Sequence, residues 1–211
     1  MRVCLVTPFA WSQPHDVNEH VAGVAAGLRA LGHEATVLAP STRATDLLAG
    51  RRVVHGHTPP REVVAVGPAV PVSRRSQMGV PVGVRASLRL ALAEGRFDLV
   101  HGFEPGLPSL SYLALRETGA LTVATFCSTE RLGYPPARSQ REKLLARLDA
   151  LLALSEPIRD AAAERFPGEY ALVSPGVSLE LFAPAPKRNR ITVELRPNER
   201  ASARGILHAL R

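Results

Sequence analysis

MRVCLVTPFAWSQPHDVNEHVAGVAAGLRALGHEATVLAP, Met1 to Pro40, reads as strand, open loop, helix, tight turn and strand. Val3 to Thr7 is a short apolar, β-branched run suited to a strand buried on both faces. Pro8 and Pro14 exclude a helix between them, because proline and the residue before it are held in extended geometry. Asp16 is the expected N-cap of a helix over Val17 to Leu31, with Glu19 three residues on as in a capping box. Val17, Val21, Val24, Ala25 and Leu28 give that helix one apolar face. Gly32 ends it as a C′ residue, and Glu34 to Leu38 returns as a second strand. Two strands joined through a helix pair in parallel with a right-handed crossover. Ligands of such sheets bind beyond the carboxyl ends of the strands, here the Pro8 to Asp16 loop and the tip of the helix.

Composition sets the outer bounds. The 211 residues suffice for one well-buried α/β domain with little left over. No apolar run approaches the ~18 residues that span a bilayer. The apolar start runs straight into Pro8, so no signal peptide is read there. Cys4 and Cys127 fall in or at the end of expected strands, which predicts reduced, buried thiols and a cytoplasmic compartment. The net charge is +7, and Lys187 to Arg211 alone holds seven basic and two acidic residues. A basic tail suits anionic lipid, nucleic acid or an acidic protein. No aromatic residue interleaves its arginines, which argues against a stacking platform for single strands. No nucleic-acid partner is expected.

Further along, Ser41 to Arg61 is polar and punctuated by Gly and Pro, and is expected to be a long loop with a short helix over Ala44 to Leu48. His55-Gly-His57 within it lacks a third ligand nearby, so a solvated loop outweighs a metal site. Glu62 to Val66 and Ala69 to Val72 are short strand candidates, Ser73 to Pro81 is a basic loop, and Val84 to Ala93 is a helix. Asp98 to Gly102 and Leu121 to Phe126 are expected as buried strands, with a helix capped by Ser109 between them. Glu142 to Leu148 is an amphipathic helix and Ala150 to Leu154 an apolar strand. Ser155 caps a helix from Pro157 to Arg165, and Tyr170 to Val173 is the last strand. This alternation specifies a doubly wound parallel α/β sheet.

The opening stretch also resembles that of retaining glycosyltransferases of the GT-B fold, in the family 4 group that includes phosphatidylinositol mannosyltransferases. FDLVHGFEPGLPSLSYLAL (97–115), TVATFCS (122–128), ALLALSEPIRD (150–160) and VSPGVSLELFAP (173–184) match in the same order. The resemblance implies a Rossmann-like acceptor-side domain over residues 1–173 and a hinge over 174–186. It also implies that residues 187–211, a strand at Arg190 to Leu195 and a helix at Asn198 to Arg211, are the truncated start of a donor-binding domain. It implies a metal-independent hexosyltransferase with no cofactor, acting on a nucleotide sugar. In the lipid mannosyltransferases a denser cationic helix touches anionic membrane; the matching residues here are Arg74, Arg75, Arg85 and Arg89, for which a solvated face is the plainer reading.

Without a metal, the charge on a departing diphosphate falls to backbone N–H groups, a helix dipole and Arg or Lys. Three positions depart from the family pattern. His15 and Asp16 stand at the glycine pair that lets backbone approach the diphosphate, and the Asp16 carboxylate would repel it. Cys127 stands at a histidine that contacts the donor sugar. Glu194, Leu195, Ala201 and Ser202 stand where the family's diphosphate-binding Arg and Lys motifs lie. The acceptor side keeps His20, Glu104, Ser128, Thr129 and Glu130. His33 belongs to the helix-to-strand turn. The chain therefore reads as the acceptor-side half of a glycosyltransferase that needs a separate donor-binding chain. The alternatives are a non-catalytic binding module of the same fold and a gene remnant. The expected location is the cytoplasm, at most peripheral to the inner face of a membrane.

Overall fold

The computed structural model describes residues 1–58, 62–69 and 83–177, with isolated positions 179, 186, 189, 205 and 208. The chain divides into two compact units, Met1–Gly176 and Val177–Arg211. All elements below belong to the first. They are β1 (Arg2–Val6), α1 (Asp16–Ala30), β2 (Glu34–Ser41), α2 (Ala44–Val54), β3 (Val63–Pro68), α3 (Arg85–Gly95) and β4 (Leu99–Phe103). Then follow α4 (Leu110–Glu117), β5 (Leu121–Phe126), α5 (Arg138–Leu145), β6 (Ala150–Ala153), α6 (Glu156–Arg165) and β7 (Tyr170–Leu172). The seven strands form one sheet in the order β3-β2-β1-β4-β5-β6-β7, and every pairing is parallel. This is the doubly wound sheet that the alternating pattern predicts.

Local chemistry explains the element ends. Gly32 takes φ +82, and the pair of bonds His33 N–H to Leu28 O and Gly32 N–H to Arg29 O closes α1 as a Schellman motif. Its other end departs from expectation by one residue. His15, at φ −157, is the N-cap, and its ring accepts from Val17 N–H; Asp16 is the first helical residue. Glu19 N–H bonds His15 O, so the capping box around Asp16 does not form. Ser109 caps α4 as expected, accepting from Tyr112 N–H at 3.5 Å. Ser155 is the N-cap of α6 but makes no side-chain capping bond.

Two further expectations are corrected. The stretch after β2 is a three-turn helix, α2, rather than a long loop, and His55 is its C-cap. It forms because Gly50 lets it lie directly on β3: a Cβ there would sit 2.1 Å from Ala65 O. α5 begins at Arg138, four residues before the expected start, on a polar turn held by the Arg138–Glu142 ion pair. The strand expected at Ala69 to Val72 lies outside the described residues apart from Ala69.

Burial divides the sheet into faces. Val3, Leu5, Val37, Ala39 and Phe103 pack against Val17, Val21 and Ala25 of α1. On the other face Cys4, Val6, Leu38, Val64 and Val100 meet Val54, Leu88, Leu110 and Ala114. Ala124 and Phe126 continue that face against Leu144, Ala162 and Phe166 from α5, α6 and the turn after it. Alternate residues of β1 thus serve opposite layers, as a strand covered on both sides must. Each fully buried Leu or Phe removed from water contributes roughly 2 kcal/mol.

The α2–β3 contact makes a paired test. Gly50→Ala should lower unfolding stability by about 1–3 kcal/mol, since backbone must move to admit the methyl. Gly23→Ala, with nothing within 4 Å of the added carbon, should raise it by about 0.5–1 kcal/mol. Urea denaturation of both variants reads the contrast, and equal effects would contradict the packing described.

Candidate functional site

Growth of the sheet reverses at β1, which lies between β2 and β4. The connections leaving the carboxyl ends of β1 and β4 turn away in opposite senses there and leave a crevice. The floor is built from the β1–α1 loop, Thr7 to His15, and from Glu104 and Cys127 just past β4 and β5. Buried polar contacts hold that loop at both sides. The Thr7 hydroxyl donates to Asn18 Oδ1 at 2.7 Å, and Asn18 Nδ2 donates to Ala10 O at 3.1 Å. Toward β2, Trp11 N–H bonds Pro40 O, while the Ser12 and Thr42 hydroxyls meet at 2.7 Å. A loop with two prolines, otherwise short of partners, is thereby tied to α1 and to β2.

At the tip of α1 the His15 ring stacks on Phe9 with centroids 3.5 Å apart. Its Nδ1 is 3.1 Å from Val17 N and 2.7 Å from Asp16 Oδ1. One nitrogen serves only one of these at a time: unprotonated it caps the helix, protonated it binds the carboxylate. Burial lowers the ring's affinity for a proton, Asp16 raises it, and the Arg131 guanidinium lowers it again; the net shift is downward. The neutral, capping form therefore prevails near pH 7. Asp16 remains largely exposed, with its side chain 78% accessible. A carboxylate thus stands in the positive field of the α1 N-terminus, which it partly cancels.

Below the cleft lies Glu104. It is fully buried, at φ +52, with Oε1 accepting from Cys127 N–H at 2.7 Å and Oε2 without a partner among the described residues. Burial pushes its carboxyl up to about 7, against the opposing pull of Arg131 and the Cys127 N–H. The carboxyl faces inward, clamping the end of β5 to the end of β4, and does not open to an acceptor hydroxyl. The Cys127 thiol is pushed far up by burial and by the neighbouring Glu104, so it carries no negative charge. Arg131 lies over the Phe9 ring, 5.0 Å from its centroid. It is the cation of this cluster that sequence reading passed over, although it directly follows the polar run Ser128, Thr129 and Glu130. Gly106 admits this loop: a Cβ there would lie 2.3 Å from Arg131 O.

The other expected residues separate. His20 is half-buried with its ring edge-on to Phe103, and burial lowers its pKa. His101 stacks on the same Phe103 and meets Thr125 Oγ1 at 2.6 Å; burial holds it down to about 3. Both are packed, neutral histidines. Ser128, Thr129 and Glu130 form a rim turn in which the Ser128 hydroxyl accepts from Glu130 N–H. Arg85 and Arg89 both bind Glu117 at 2.5 Å, with their side chains still more than half exposed. Arg74, Arg75, Glu194, Leu195, Ala201 and Ser202 lie outside the described residues. Among the described residues no cluster of three or more His, Cys, Asp or Glu is placed to hold a metal, and no helix is long and apolar enough to cross a membrane.

Comparison with known proteins gives a consistent result. The model of Glycosyltransferase Family 4 matches residues 17–181. A phosphatidyl-myo-inositol mannosyltransferase of Propionibacterium freudenreichii subsp. shermanii is 34% identical over 167 residues, 77% of this chain and 42% of the relative. The enzyme of that name from Mycolicibacterium smegmatis is 30% identical over 195 residues, 88% of this chain and 46% of the relative. Among solved structures, the sucrose-phosphate synthase of Thermosynechococcus elongatus aligns with a TM-score of 0.50 at 15% identity. That alignment covers 86% of this chain and 92% of that one, and shows the fold alone. The chain spans about half the length of the curated relatives it matches.

Titration of Glu104 checks the buried clamp. Its folded pKa, about 7, lies above the ordinary 4.5, so folding favours the protonated form. Stability is unaffected by this group below pH 4.5, falls as pH rises from 4.5 to 7, and is level above that. The full loss is on the order of 3 kcal/mol. Glu104→Gln keeps an oxygen for Cys127 N–H but cannot ionise. The variant should gain stability relative to the parent between pH 5 and pH 8 in parallel denaturant titrations. Parallel pH curves for the two proteins would contradict a buried, unpartnered carboxyl.

Proposed function

This chain belongs to glycosyltransferase family 4, and from that premise we propose that it supplies the acceptor side of a cleft in which a sugar passes from a nucleotide sugar to an acceptor. The mannosyltransferases it resembles point to a phosphatidyl-myo-inositol type of acceptor and to transfer with retention, without metal. In this reading residues 1–173 are the acceptor-side domain, 174–186 the hinge and 187–211 the start of a donor-binding domain. Catalysis depends on a donor-binding half in addition to the acceptor-side domain.

The observation that carries the dependence is the Asp16 carboxylate at the exposed tip of α1. A diphosphate approaching that N-terminus meets a negative charge where backbone N–H groups alone would be attractive. His15, spent as a neutral cap stacked on Phe9, offers no compensating charge. Cys127, neutral and tied to Glu104, supplies neither a base nor a nucleophile. In this account Glu104 is a positioning residue, and Ser128, Thr129 and Glu130 are the polar groups left facing the acceptor. The same three observations favour a second reading, a non-catalytic binding module of this fold.

Calorimetry with guanosine and uridine diphosphates tests the point. The parent chain alone should bind weakly. Asp16→Gly should bind about three- to tenfold more tightly at low salt, the gain expected from removing one carboxylate several ångströms from the phosphates. The gain should shrink as salt screens the charge. Unchanged affinity in Asp16→Gly would mean that no diphosphate approaches α1.

A further inference from the structure

At the amino ends of the strands, the edge of the sheet opposite the crevice, a cavity of about 310 Å³ opens between the sheet and the last turns of α2 and α3. Leu38 and Val64 of the sheet, Val53 and Val54 of α2, Ala91 of α3 and Phe97 give it apolar walls. Leu38, Val54, Val64 and Ala91 belong to the core of that face, so the packing of the domain itself sets the walls. The polar groups are few. Thr58 Oγ1 is buried and has no hydrogen-bond partner among the described residues. Arg2 lies at the rim but is engaged by Glu34, Nε to Oε2 at 3.4 Å. Glu94, also at the rim, is exposed and has no salt-bridge partner among the described residues. Both helices end here, with Gly56 and Gly95 lining the opening, and a helix carries partial negative charge at its C-terminus.

We propose that this cavity is a second ligand site, for a short aliphatic chain that ends in an ammonium group. The walls take the chain, because apolar surface on both sides leaves water there. The rim decides the head group. The Glu94 carboxylate and the two helix ends attract a cation, and an ammonium donates the charge-assisted kind of hydrogen bond. Thr58 Oγ1 offers an acceptor that the protein leaves unused. A carboxylate head would meet Glu94 and the helix ends, with only the already engaged Arg2 in its favour. A volume near the ~300 Å³ lower bound of ligand pockets suits a short chain and excludes a sugar nucleotide. None of these residues lies in the crevice, so the site stands independently of the transfer reaction.

The probe is n-hexylamine, protonated at pH 7, compared with 1-hexanol and hexanoate of the same chain length. The full chain, labelled at its Ala, Leu and Val methyl groups, is titrated with each and followed by NMR. The expected result is a saturable set of shifts centred on Val54, Val64 and Ala91, with hexylamine binding tightest and hexanoate weakest. Glu94→Gln should weaken hexylamine about three- to tenfold and leave 1-hexanol unchanged. Ala91→Leu fills the cavity and should abolish binding of both. Asp160→Asn on α6 removes a carboxylate elsewhere and should change nothing. Thermal melts report whether each variant is folded, and Glu94→Gln, an exposed change, keeps the test decisive if Ala91→Leu is not. Hexylamine binding no more tightly than hexanoate or 1-hexanol, or Glu94→Gln without effect on it, overturns the ammonium head group. Absence of saturable shifts at Val54, Val64 and Ala91 overturns the site altogether.

Discussion

A parallel sheet that grows in both directions from one strand must open a gap where growth reverses, and here that strand is β1, between β2 and β4. The gap exposes backbone that the sheet no longer pairs, so the loop leaving β1 needs other partners. Thr7, Asn18 and Ser12 provide them. These contacts decide where Phe9, Trp11, His15 and the tip of α1 stand. Everything assigned to the site follows from that placement.

Electrostatics then separates this cleft from one built to hold phosphates. The buried ionisable groups around it, Glu104, His20, His101 and Cys127, are all shifted toward their neutral forms by burial. Among the described residues, the charges near the mouth include Asp16, on an attractive helix end, Glu130 on the rim, and Arg131, laid over Phe9. A site that must stabilise a departing diphosphate concentrates positive charge and free N–H groups. On the described side, this cleft instead neutralises its interior and places an acid at its tip.

Much of the frame was legible in the sequence because its signals are local. Gly32 demanded a left-handed turn, Ser109 supplied a cap, and Leu121 to Phe126 matched the observed strand end to end. The misreadings come from tertiary causes. α2 carries a glycine in its middle and a weak apolar stripe; its packing through Gly50 onto Ala65 O is invisible until β3 is in place. His15 displaced Asp16 as the cap because stacking on Phe9 fixes it there. Glu104 was recognisable as a site residue, but its burial depends on β4 and β5 lying side by side, which brings Cys127 N–H to its carboxyl. Thr58 and Glu94 gave no sequence signal, since only the packing of α2 and α3 on β2 and β3 brings them to one cavity.

The central claim is that this polypeptide completes a transferase only together with a donor-binding half. It is tested by following sugar transfer from a nucleotide sugar to a phosphatidyl-myo-inositol acceptor, with the chain alone and after mixing with a separately produced donor-binding half. The account predicts no turnover above background for the chain alone and transfer on mixing. Turnover by the isolated chain at an ordinary enzymatic rate would contradict it.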